Sequence, residues 1–295
     1  MIWLGEKRGF LSDWSTQMWV RATGRRVSLS ENAWLDGPAG KTRLIGQEFF
    51  ANYAKDCGLE IVQSGRPGLI EDFRSLCGSA NDLGAVAGPV KAFYEHTSDY
   101  EMDAWSEWHG LFRPFGWALA VIFSRRLQQL NVPLSSLDSS KGISSQVIQL
   151  RDPRSGKIVQ AAWVRALHAT KNILYAGSYS VCRVPGFQDP CVKVVFPLPN
   201  GNAIVLMRPV AHEDGSLTVA SAGRAFGDPG FYFVVHEGNG MARARYVRSL
   251  KETIRVYPAE PGAVRADHVL WLWGKEFLRL HYRMRVRSNR KSALN

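Results

Sequence analysis

From residue 277 to residue 287 the side chains alternate without a break. Leu278, Leu280, Tyr282, Met284 and Val286 fall on one side, and Phe277, Arg279, His281, Arg283, Arg285 and Arg287 on the other. A period of two belongs to a β-strand, here with one apolar and one cationic face. Upstream, turn signals at Asp152-Pro153, Pro185-Gly186, Asn200-Gly201, Asp214-Gly215, Asp228-Pro229-Gly230 and Gly274 separate β-rich runs at 147–151, 158–167, 174–184, 192–198, 203–209, 216–221, 231–236, 242–250, 253–257 and 269–273. Asn200-Gly201 between two such runs predicts a type I′ hairpin. Residues 146–288 are therefore expected to form one antiparallel meander of at least eight strands. A meander that long must curl or close to protect its edges, so a barrel or strongly curved sheet is expected.

Residues 1–140 carry a different pattern. Residues 1–45 are Trp-rich and irregular, with a short strand expected at 17–22. Phe49, Phe50, Tyr53, Ala54 and Cys57 make a helical stripe that Gly58 ends. Pro67 and Gly78 bracket a second helical stripe, Leu69, Ile70, Phe73, Leu76 and Cys77. A third helix starts near Pro89 with Val90, Phe93, Tyr94 and Thr97 on one side, and a fourth spans 114–130. The Ser-rich connector at 135–145 marks the boundary. The fold class is thus α+β: a mainly helical region, 1–140, packed on a β-barrel-like domain, 141–295, as two units or one integrated domain. The strand number and turn spacing resemble lipocalin-like and related ligand-binding barrels in architecture. Their G-x-W signature is absent, because Ala161-Ala162 precede Trp163, so the resemblance carries no residue assignments.

Charge follows the same division. Residues 1–140 hold 14 Lys and Arg against 16 Asp and Glu, a balance of −2; residues 141–295 hold 23 against 10, a balance of +13. The basic half favours an anionic partner: a phosphate- or carboxylate-bearing molecule, an anionic membrane surface, or nucleic acid. Nucleic acid is disfavoured, because the cations of the last strand are interleaved with few aromatic side chains. Four cysteines without metal-ligand spacing, no signal-peptide pattern and a longest apolar run of only residues 115–123 point to a reduced cytoplasmic protein.

Catalytic motifs are sparse. Gly37-Pro38-Ala39-Gly40-Lys41-Thr42 resembles a P-loop, but Leu35 stands where its first glycine is needed. Neither G-x-S-x-G nor a helix-opening G-x-G-x-x-G occurs, and no cofactor or metal is expected. The densest chemical patch is 93–109. There Glu95, His96, Asp99 and Tyr100 are candidate acid/base groups, with Phe93, Trp105 and Trp117 as lining for a neighbouring apolar pocket. The structural alternative is an acidic face that pairs with the basic half. Arg243, Arg245, Arg279, His281 and Arg283 are candidates to meet an anionic head group at a barrel mouth. The function expected is binding of an apolar or lipid-like small molecule. The alternatives are a cofactor-independent cyclase, isomerase or hydratase, and a nucleic-acid or membrane-surface protein.

Overall fold

The computed structural model describes residues 2–5, 8–40, 48–62, 65–79, 82–109, 143–167 and 173–287. The expected helix at 114–130, and Trp117 with it, lies outside these residues. Among the described residues eleven strands run from residue 143 onward: β4 (Ile143–Arg151), β5 (Ile158–Leu167), β6 (Ile173–Val184), β7 (Phe187–Leu198), β8 (Gly201–Ala211), β9 (Leu217–Ala220), β10 (Phe231–Gly238), β11 (Met241–Tyr246), β12 (Leu250–Pro258), β13 (Ala263–Leu272) and β14 (Lys275–Val286). Three more come from the N-terminal portion: β1 (Arg25–Ser28), β2 (Glu60–Val62) and β3 (Tyr100–Trp108). All pair antiparallel, and strands from both portions share one hydrogen-bonded sheet.

The strand order is β2-β4-β5-β6-β7-β8-β9-β12-β13-β14-β3, with β10, β11 and β1 branching from β8. The first part of β8 is bonded to β7 and β10, and its end, from Arg208, to β9. The sheet is open and not closed into a barrel, because the N-terminal strands β2 and β3 occupy its two ends and do not pair with each other. The branch at β8 produces two sectors that meet face to face. Val192, Val194 and Val205 of one sector share a core with Val256, Val264, Ala266 and Met284 of the other. The edges are protected in other ways: β2 is three residues long, and β3 presents acids outward.

Among the described residues three α-helices flank the sheet: α1 (Leu11–Thr23), α2 (Phe49–Cys57) and α3 (Gly88–Glu95). α2 follows its stripe, and Gly58 closes it at φ +66°, its N–H donating to Ala54 and Lys55 carbonyls. α1 replaces the strand expected at 17–22. The Asp13 carboxylate accepts the Phe10 N–H at 3.2 Å to start the helix, and Gln17 and Val20 are buried one turn apart. The second expected helix shrinks to a 3-10 turn, Phe73–Leu76. Its upstream backbone is used elsewhere: the Ile70 N–H donates to the Tyr94 carbonyl, and a Cβ on Gly68 would sit 2.2 Å from the Glu95 carbonyl carbon. A segment whose donors are spent on a neighbour cannot also make helical bonds. The third helix, α3, stops at Glu95, and Val90, Phe93 and Tyr94 enter the shared core.

The hairpin at Asn200-Gly201 forms, but not as type I′. Leu198 pairs with Gly201, the loop residues are Pro199 and Asn200, and only Asn200 has positive φ, +58°. Gly201 is instead required by packing, since a Cβ there would lie 2.0 Å from the Val234 carbonyl oxygen of β10. Cys182 and Cys191 are register partners across β6 and β7, and both are free thiols.

Candidate functional site

The last strand keeps its expected register. Leu278, Leu280 and Met284 are buried, and the cations lie on the outer face. The exception is Phe277: a bulge between the Leu270–Leu278 and Trp271–Glu276 pairs turns it from the cationic side into the core. The outer face is a ladder of matched charges. Arg279 makes two bonds to Glu276 at 2.9 and 3.0 Å, Arg285 reaches Asp103 at 3.0 Å, and Arg283 pairs with Glu260. His281 sits 2.6 Å from Asp267 and 3.6 Å from Glu107, with Trp105 stacked on it at 5.4 Å. The acids of β3 thus lie beside the cations of β14. Arg243 and Arg245 belong to the other branch, where they donate to the Gly24 and Thr23 carbonyls at the end of α1. The basic strands do not form one continuous cationic surface.

The acid/base candidates separate. Glu95 and His96 line an open groove of about 630 Å³ together with Glu71, Asp72, Arg74 and Lys91. The Glu95 carboxylate accepts the Phe73 N–H at 2.7 Å, which fixes the start of the 3-10 turn. Asp99 is held by Arg66 at 2.5 Å, and Tyr100 is buried edge-on to Phe93 at 5.4 Å. Neither Phe93 nor Trp105 lines the groove, whose apolar wall comes from Phe73, Cys77 and Leu83.

A different constellation lies on the inner faces. Along β5, Ala161 and Trp163 face the shared core, whereas Ala162 and Val164 pack with Phe50 of α2. Alternation therefore points Arg165 inward. It is opposite Ser145 of β4 and Tyr175 of β6. Its guanidinium lies 5.7 Å over the Trp163 ring, whose indole N–H donates to Ser145 Oγ at 2.9 Å. Tyr175 and Tyr179 are four residues apart on one face of β6, their hydroxyls 2.5 Å apart. Between them, Gly177 leaves space for the Tyr175 ring: a Cβ would meet its hydroxyl at 2.7 Å. From the other sector come Tyr282 and a His268–Glu252 pair with Nε2···Oε2 of 2.9 Å, His268 stacking on Tyr282 at 6.4 Å.

Arg165 is 9% exposed, and its Nε has no hydrogen-bond partner among the described residues. No carboxylate pairs with it among those residues. Burial pushes its pKa down, and pushes the Tyr175 and Tyr179 phenols well above their ordinary value. Tyr282 is raised to about 12 by burial, against an opposing pull from Arg165. Neutral phenols and a buried guanidinium thus bring several hydrogen-bond donors together on these inner faces.

The phenols also give a pH expectation. Tyr175, Tyr179 and Tyr282 titrate above 10 when folded, and near 10 when unfolded. Their stabilisation is complete below pH 10 and is lost as pH rises through the folded values. In an alkaline titration followed by phenolate absorbance and circular dichroism, the last phenols should ionise together with unfolding. Complete ionisation near pH 10 with the sheet intact would mean that the cluster is solvated.

Sequence reasoning missed this cluster, although two signals were present. One is a lone arginine at an inward position of an apolar run, and the other is tyrosines four apart on a strand. What placed them together was the meeting of two sectors distant in sequence.

No protein family matches the chain, and no solved structure matches it. The chain is similar to the uncharacterized membrane protein YndJ of Bacillus subtilis, 28% identical over 245 residues, which are 81% of this chain and 41% of the relative. It thus spans well under half of that protein's length. Among the described residues no helix is long and apolar enough to cross a membrane.

Proposed function

We propose that this protein binds an amphiphilic anion, a molecule with an apolar body and a carboxylate or phosphate head, between the two inner faces of its sheet. The carrying observation is Arg165, a buried guanidinium with no carboxylate partner among the described residues. Burying a charge costs several kcal/mol unless something pairs with it, and a bound anion would supply the partner that the described residues do not. Arg165 and the phenols of Tyr175, Tyr179 and Tyr282 supply the head-group donors. Trp163, Phe196 and Phe231 supply apolar wall. Four free thiols favour a reducing, cytoplasmic setting, and the relative's description as a membrane protein suits a lipid-like ligand.

The test is titration calorimetry with dodecanoate, dodecyl phosphate and uncharged dodecanol. Both anions should bind, and dodecanol should bind much more weakly. Arg165→Met should weaken the anions by about 30-fold or more, the equivalent of a lost charged hydrogen bond of about 2 kcal/mol. The same variant should melt at an equal or higher temperature, because it removes a buried charge that no described carboxylate pairs. Equal binding of all three probes, or unchanged anion binding by the variant, would overturn the proposal. A second, enzymatic reading rests on the His268–Glu252 pair beside Tyr282, which supplies a base and an acid at the same site. It requires that the molecule recovered with the protein be converted, and that His268→Gln abolish the conversion.

A further inference from the structure

A surface helix ordinarily turns its apolar side inward. α1 does the reverse. Its buried side holds Gln17 and Val20, with Gln17 bonded to the Pro199 carbonyl and to the Asn200 amide, each at 3.2 Å. Its outer side holds Leu11, Trp14, Met18 and Ala22 at successive helical spacings, with Trp19 on the shoulder. Leu11 is 43% exposed, Trp14 37%, Met18 45% and Trp19 40%. The N-terminal segment extends the patch: the Ile2 carbonyl accepts the Leu11 N–H at 2.9 Å, Trp3 packs edge-on to Phe10 at 5.1 Å, and Ile2 and Trp3 are themselves exposed. Four large apolar side chains of α1 and two of the segment before it are thus exposed, Trp19 keeping an edge contact with Phe233.

The charges around this patch select its occupant. Residues 8–30 contain Arg8, Arg21, Arg25 and Arg26 against a single acid, Asp13, which is used at the helix start; Arg26 pairs with Glu237 at 3.3 Å and Arg25 lies over the Phe226 ring, whereas Arg8 and Arg21 make no ion pair or ring contact among the described residues. All four arginines are exposed. Tryptophans flanking a Leu–Met centre, with arginines beside them, match the chemistry of a lipid head-group layer, where indoles sit at the boundary and cations meet phosphate. The cations of β14 do not compete for this role, since Arg279, Arg283 and Arg285 are matched by acids within the sheet. We infer that the outer face of α1, with Ile2 and Trp3, docks on an anionic membrane surface, the helix lying in the plane of the head groups.

The test is co-sedimentation of the 295-residue chain with vesicles of phosphatidylcholine alone, and of equal parts phosphatidylcholine and phosphatidylglycerol. The chain should sediment with the anionic vesicles, with a blue shift of tryptophan emission, and should be released by high salt. Trp14→Ser combined with Met18→Ser should lower the partition coefficient by about tenfold or more, from lost apolar burial. Arg8→Gln combined with Arg21→Gln should weaken binding to anionic vesicles and leave the neutral ones unchanged. Both pairs are exposed, so both variants should melt as the wild type does. No binding to anionic vesicles, binding by both double variants as strong as that of the wild type, or a solution dimer that the Trp14/Met18 variant splits would overturn the inference. The last result would assign the face to a second copy of the chain.

Discussion

Leu280→Asp is expected to unfold the protein or to remove most of its stability. Leu280 is 8% exposed and packs with Phe277 and Leu278 on the inner side of β14. A carboxylate there would face away from the arginines of β14, and directly across from it lie Ser106 and His268, the latter already paired with Glu252. Loss of the apolar side chain and burial of an unpaired charge together cost about 4 kcal/mol or more, a large share of the roughly 5–15 kcal/mol that holds a domain together. Arg285→Ala, five positions on and of opposite parity, removes a surface pair with Asp103 and should change stability by no more than about 1 kcal/mol. Denaturant unfolding of the two variants decides the matter. Similar midpoints would mean that the facing of β14 is misassigned.

Gly201→Ala should cost about 3 kcal/mol, at the upper end of ordinary overpacking. Gly201 opens β8 between Leu198 of β7 and Val235 of β10, and an added Cβ would lie 2.0 Å from the Val234 carbonyl oxygen. Backbone cannot step aside there without parting β8 from β10, and that junction joins the branch to the rest of the sheet. Gly88→Ala is the comparison. A Cβ at Gly88 has nothing within 4 Å and φ is not positive, so that change should be neutral or stabilising by about 0.5 kcal/mol. If Gly201→Ala melts with Gly88→Ala, β8 and β10 are not packed as closely as this geometry requires.

The charge division has a structural explanation once β3 is in place. The sequence between Tyr100 and Trp108 alternates acid with other residues, which is strand periodicity, yet its helical spacing of Glu95, Asp99, Asp103 and Glu107 competes with that reading. α3 ends at Glu95, and the acids from Glu101 onward become the partners of β14. In register Asp103 lies opposite Arg283, and Glu107 opposite Arg279. A −2 portion and a +13 portion are therefore joined through matched edges. Exposed pairs of this kind contribute roughly 0.2–1 kcal/mol each, and they serve register more than stability.

Alternation and turn chemistry alone determined the antiparallel strands beyond residue 143, the facing of β14 and the end of α2 at Gly58. Each is a local consequence of backbone geometry, readable within a few residues. The open form of the sheet, the strand pairing of the N-terminal portion and the reason for Gly201 were decided only by the tertiary structure. All three depend on which distant segment supplies the next hydrogen-bonding edge. The same holds for the site. Arg165 and Tyr282 stand 117 positions apart in the chain, and nothing local marks them as neighbours. They come into electrostatic reach because β8 divides the sheet and brings its two sectors face to face, and that meeting is a property of packing that no short window of sequence contains.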